Sequence, residues 1–85
     1  MSYLVSLRAS AEKELDGLPE RVAERIIKRL LELETNPRPS DCKKLKGINA
    51  YRLRVGDYRV IFQINDKEKE VSIESIGHRK EIYRK

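Results

Sequence analysis

Between Tyr51 and Phe62 the chain reads Tyr51-Arg-Leu-Arg-Val-Gly-Asp-Tyr-Arg-Val-Ile-Phe62, and its polarity mirrors itself about Gly56-Asp57. Two alternating runs separated by such a dipeptide specify an antiparallel hairpin with a tight connection. The register follows: residue 55 faces 58, 54 faces 59 and 53 faces 60. Strand side chains alternate between faces, so Tyr51, Leu53, Val55, Tyr58, Val60 and Phe62 share an apolar face. Arg52, Arg54 and Arg59 share the other. Arg54 then meets Arg59 across the pair, and like charges so placed disfavour the hairpin. Folding gains nothing from this, whereas a planar guanidinium fork fits a phosphate two hydrogen bonds at a time. An anionic ligand is the natural explanation.

The period of about 2 continues beyond the hairpin, giving strands near 51–55, 58–64 and 70–76, the last two joined by Asn65-Asp-Lys-Glu-Lys69. Upstream, Ser2 to Arg8 reads as a first strand. Ser10 is placed to cap a short helix over Ala11 to Asp16, which Gly17 ends. Pro19 suits the first turn of a longer helix to about Glu34, with Val22, Ile26, Leu30 and Leu33 at helical spacing and Ile27 and Leu31 widening the stripe. Asn36-Pro-Arg-Pro-Ser40 breaks that helix, and a loop containing Lys43-Lys-Leu-Lys-Gly47 follows. Gly77 lets the chain bend out of the sheet, leaving His78 to Lys85 as a short tail with room for a helical turn. The expected order is βααβββ: a single α+β domain over 1–85, with a helical hairpin packed on a twisted, mainly antiparallel sheet and a basic surface on the opposite face.

Composition narrows the function classes. With 39% hydrophobic and 39% charged residues, the chain is expected to be globular with a heavily ionised surface. The net charge is +5, and residues 43–85 supply it, with 12 basic groups against 6 acidic. Such asymmetry suits a polyanion, nucleic acid above all. The single cysteine, Cys42, excludes an internal disulfide framework and makes cytoplasm the expected compartment. Tyr3-Leu-Val-Ser-Leu7 is too short for a signal peptide, and no stretch could cross a bilayer. One His and one Cys offer no metal-ligand set, so neither metal nor cofactor is expected.

Lys43, Lys44 and Lys46 precede the hairpin, so residues 43–59 hold six basic groups against one acid, Asp57. Edge strands often carry Lys or Arg merely to discourage pairing, which accounts for one arginine but not for three together. RNA bound there would be released by salt. Gly77-His-Arg-Lys-Glu-Ile-Tyr83 holds His78, the only histidine, and sets Arg79 and Tyr83 at i and i+4. Cationic neighbours would favour the phenolate of Tyr83 and equip it for proton transfer. Alternatively, Tyr83 docks the tail through its ring while His78 is simply exposed. Arg21, Arg25 and Arg29 form a stripe on the second helix, but Glu20, Glu24 and Glu32 interleave with it and Glu24 can pair with Lys28, which reads as a solvated face. Cys42 reads as a small, half-buried residue.

Together, Lys44-Leu-Lys-Gly47, the 51–62 hairpin and Ile76-Gly-His-Arg-Lys-Glu-Ile-Tyr83 resemble the RelE branch of the RelE/ParE toxin superfamily, and the resemblance covers nearly the whole chain. It implies a RelE-like, microbial-ribonuclease-like fold and a type II toxin that cleaves mRNA in the ribosomal A site without metal. It also implies a cognate antitoxin that masks the basic face. The family's active-site pattern falls on Arg52, Arg54, Arg59, Arg79 and Tyr83. Lys43, Lys44 and Lys46 would join Arg52 and Arg54 in holding RNA. The better-known pattern has lysines at 52 and 54; arginines cannot shed a proton near neutrality, which leaves Tyr83, His78 or a ribosomal group as the base. The alternatives are a ParE-like inhibitor of DNA gyrase and a basic binding module without catalysis.

Overall fold

The computed structural model describes residues 2–78. β1 (Leu4–Leu7) leads into α1 (Ala9–Asp16) and α2 (Glu20–Glu32), and β2 (Cys42–Lys44), β3 (Tyr51–Val55), β4 (Tyr58–Asn65) and β5 (Glu70–His78) follow. The strands form one mixed sheet in the order β1-β5-β4-β3-β2. β1 runs parallel to β5, and the other neighbours are antiparallel. The α+β fold with a helical hairpin on one face stands as expected, with one strand more. Cys42–Lys44 lies in the segment read as a loop, and three residues are too few to display a period.

The hairpin has the register read from the sequence: Leu53 pairs with Val60, Arg54 with Arg59 and Val55 with Tyr58. Gly56 occupies the first turn position at φ +62°, which a residue with a Cβ adopts only under strain. Leu53, Val55, Val60 and Phe62 of the hairpin join Val71, Ile73 and Ile76 of β5 in the core, under Ala11 of α1 and Ile26, Leu30 and Leu33 of the α2 segment. Each of these side chains larger than alanine contributes on the order of 1.5–3 kcal/mol by leaving water. Ile27 and Leu31 do not widen the buried stripe. They are 43% and 56% exposed because nothing among the described residues covers that flank of α2.

α1 begins earlier than expected. Arg8 is the N-cap residue, in extended conformation, and its N–H still donates to the Ile73 carbonyl at 2.9 Å. Ser10 is therefore inside the helix, and its hydroxyl donates to the Glu74 carbonyl at 3.1 Å instead of capping. Gly17 ends α1 at φ −85°, without a left-handed residue.

β1 accompanies β5 only as far as Ile73. Beyond that point α1 takes over the edge, with Glu14 Oε1 accepting the Ile76 N–H at 2.7 Å. Here β5 also carries an extra residue: Phe62 faces Ile73 while Ile61 faces Ser75, so Glu74 has no partner on β4. Its carboxylate is held by Arg8 at 2.8 Å and by the Ser72 hydroxyl at 3.1 Å. The bulge advances everything after it by one position. Gly77 remains within the strand rather than bending out, and His78 ends it.

At the other end of the sheet, Arg38 in the breaker loop donates to both Asp66 oxygens at 3.1 and 2.8 Å and through Nε to the Tyr51 hydroxyl at 3.1 Å. Tyr3 donates to Asp66 Oδ1 at 2.7 Å. Hydrogen bonds from Arg38 and Tyr3 hold the Asp66 carboxyl down at about 2. The same bond to Asp66 pushes the Tyr3 phenol above its ordinary value. This network ties the loop after α2 to the β4–β5 turn and to the start of β1.

Candidate functional site

Two rows of side chains cross the sheet on the face away from the helices. Lys43, Arg52, Ile61 and Ser75 form one; Arg54, Arg59 and Gly77 form the next. Opposed Cβ atoms on neighbouring strands lie roughly 5 Å apart, so the guanidinium groups of Arg54 and Arg59 can reach one phosphate together. Arg54 is exposed and Arg52 half-buried, but Arg59 retains only 4% of its exposure. The sequence suggests an exposed Arg59 like its neighbours. β4 is an interior strand with β5 on its far side, and the bulge brings Gly77, which has no side chain, opposite Arg59.

The other candidates separate. Lys43 pairs with Arg52 and shares the arginine face, Lys44 pairs with Tyr51 and alternates to the helix side, and Lys46 lies in the following turn. His78 pairs with Tyr58, their rings meeting edge to face at 5.6 Å between centroids, and this places it on the helix side of the sheet. Arg79 and Tyr83 lie outside the described residues. Cys42 is on the inner face, where burial, aided by Asp41, pushes its thiol above the ordinary value and away from reactivity.

The stripe on α2 divides. Arg29 donates to Glu32 Oε1 at 2.9 Å and Asp41 Oδ1 at 3.0 Å. The bond from Arg29 holds the Asp41 carboxyl below its usual range. The expected Glu24–Lys28 pair is absent among the described residues. Chemically, the arginine face can bind and neutralise phosphate, but guanidinium cannot accept a proton. The place of Arg59 on the arginine face is legible in the sequence, but its burial is not.

Comparison with known proteins agrees with this architecture. The family described as ParE toxin of type II toxin-antitoxin system, parDE, matches residues 5–83. The mRNA interferase toxin RelE of Escherichia coli K12 is 33% identical, the match covering 98% of this chain and 92% of that protein. Putative toxin RelE1 of Methanocaldococcus jannaschii is 30% identical over 99% of this chain and 98% of its own. Among solved structures, the RelE–RelB complex of Pyrococcus horikoshii superposes with a TM-score of 0.83 at 35% identity, covering 93% of this chain and 97% of that one. The E. coli RelBE toxin–antitoxin complex gives 0.81 at 29% identity, over 91% and 96%.

Proposed function

The chain belongs to the ParE toxin family of type II toxin–antitoxin systems, and we propose that it is an mRNA interferase, a ribosome-dependent endoribonuclease that cuts mRNA in the A site and stops translation. The observation that carries this reading is Arg54 opposite Arg59 on the face away from the helices, with Arg52 and Lys43 in the adjoining row.

An RNA strand laid along this face brings a phosphate against Arg59. The ribose 2′-hydroxyl attacks that phosphorus in line, its proton passes to a base, and the P–O5′ bond breaks as the 5′-oxygen takes up a proton. A 2′,3′-cyclic phosphate and a 5′-hydroxyl result. Arg59 and Arg79 stabilise the charge on the pentacoordinate phosphorane, while Arg52 and Arg54 orient the flanking phosphates. Tyr83 stacks on a base and moves the proton; His78, on the helix side of the sheet, is the other candidate base. The ribosome contributes by fixing the 2′-hydroxyl in line, which lowers the demand on the base.

The implied partner in regulation is a cognate antitoxin, since relatives of the same fold were crystallised as toxin–antitoxin complexes. A groove between β1 and the helices, lined by Val5, Leu7, Leu15, Ile27 and Leu31, offers an apolar segment of that antitoxin a seat. The compartment is the one that holds ribosomes, the cytoplasm; among the described residues, no helix is long and apolar enough to cross a membrane.

Primer extension on mRNA-programmed ribosomes, beside naked mRNA, tests the proposal. Cuts confined to the A-site codon, and abolished in Arg59→Ala, Arg79→Ala and Tyr83→Ala, are expected. Intact mRNA with folded wild-type protein would overturn it in favour of a toxin that acts on DNA gyrase without cutting RNA.

A further inference from the structure

A second cationic surface lies around the edge of the sheet from the arginine face. β2 pairs with β3 only from Tyr51 to Leu53, so the outer edge of β3 at Arg54 and Val55 has no strand beside it. α2 passes beside that edge, and Arg25, Lys28, Arg29, Glu32, Arg54 and Gly56 border a groove of about 370 Å³. Val55 is its one apolar lining residue among those described.

These cations are not equivalent. Arg29 is engaged by Glu32 and Asp41. Arg25, Lys28 and Arg54 are exposed and form no ion pair among the described residues, although Glu24 adjoins Arg25 and stands four residues before Lys28. The Arg25 guanidinium is held against the β3–β4 turn, 3.6 Å from where a Cβ on Gly56 would stand. Three uncommitted cations thus line a trough whose one carboxylate, Glu32, is already taken by Arg29. With Val55 as the one apolar residue among them, the lining side chains give a peptide few hydrophobic anchors. A chain of evenly spaced charges needs none.

We infer that this groove grips the phosphodiester backbone of an RNA segment other than the one being cut, with Arg25 and Lys28 as its phosphate ligands and Arg54 joining it to the arginine face. The inference rests on the nuclease reading and extends it: the toxin holds RNA on both sides of the β3 edge. The second segment is either ribosomal RNA or a distant stretch of the message, and phosphate is common to both.

The test compares the wild type with Arg25→Ala/Lys28→Ala and with Lys13→Ala/Lys67→Ala, which removes the same charge from exposed positions outside the groove. Cosedimentation with programmed ribosomes and binding to naked mRNA are measured across a salt series, together with KM and kcat of cleavage. Removing the groove pair should raise KM and the ribosome Kd roughly tenfold, leave kcat within about twofold, and flatten the salt slope by about 0.7–0.9 for each phosphate no longer neutralised. An effect on ribosomes alone assigns ribosomal RNA; an equal effect on naked mRNA assigns the message. No effect, or an equal effect of the control pair, would overturn the inference. Because binding is read separately from cleavage, a wild type that binds ribosomes but cuts nothing would defeat the nuclease reading and still decide the groove.

Discussion

Arg59 stands directly across from Gly77, at a position where β5 presents no side chain. The bulge at Glu74 creates this pairing; without it, a different residue of β5 would lie beside the buried guanidinium. A Cβ and two methyl groups at position 77 would occupy the space beside that side chain. Gly77→Val is therefore expected to lower A-site cleavage by about 10²–10³, the usual cost of displacing one preorganised donor. Gly77 is itself buried, so the added side chain should also cost the fold roughly 1–3 kcal/mol, and primer extension run well below the melting temperature separates displacement of Arg59 from unfolding.

Arg54 should lower stability as it serves function. Its charge directly opposes that of Arg59, and relieving such a pair is worth roughly 0.2–1 kcal/mol. Arg54→Ala is expected to raise the denaturant midpoint slightly while weakening RNA binding and cleavage. A variant that lost both activity and stability would show the arginine to be a structural element of the hairpin.

Acid should loosen the end of the sheet remote from the arginines. Asp66 has its folded pKa depressed to about 2 from an ordinary 3.8, so its contribution is complete above the unfolded value and disappears as pH falls through the folded one. The gap in melting temperature between wild type and Asp66→Asn should be widest near neutrality and close between about pH 4 and 2. Tyr3, raised by the same contact, has the opposite sign: its contribution is present below the ordinary phenol value and vanishes as pH rises through the folded one.

The groove beside β1 can be tested without touching the RNA face. Leu31 is 56% exposed and Leu4 65%, so a carboxylate at position 31 should cost the fold less than about 0.5 kcal/mol. Leu31→Glu is expected to weaken antitoxin capture by an order of magnitude or more and leave cleavage by the isolated toxin intact. Titration calorimetry with the cognate antitoxin would check it; unchanged affinity would move the antitoxin's seat elsewhere.

The arginine face was legible because a hairpin is local: alternation and a Gly-Asp turn set its register within twelve residues. The placement of Lys44, Gly77 and His78 was less so. Lys44 belongs to a strand too short to show alternation. Gly77 and His78 owe their faces to a bulge that depends on Arg8 and Ser72 holding Glu74 and on Glu14 meeting the Ile76 N–H, interactions that mostly join residues far apart in sequence. Apolar spacing on α2 likewise announced Ile27 and Leu31 as hydrophobic without saying that this chain leaves them uncovered. Arg79 and Tyr83, singled out from the sequence, lie outside the described residues.

The parallel pairing of β1 with β5 has a consequence in time. Leu4 pairs with Glu70 and Leu7 with Ile73, so β1 leaves the ribosome well before the strand it pairs with. Until residues 70–78 are made, β4 is itself an open edge and Arg59 has no Gly77 beside it. Pairings of such long sequence separation form slowly and late. A nascent polypeptide that has not yet extruded β5 cannot assemble the face proposed to attack ribosome-bound message, and the order of synthesis delays the activity until that strand has emerged.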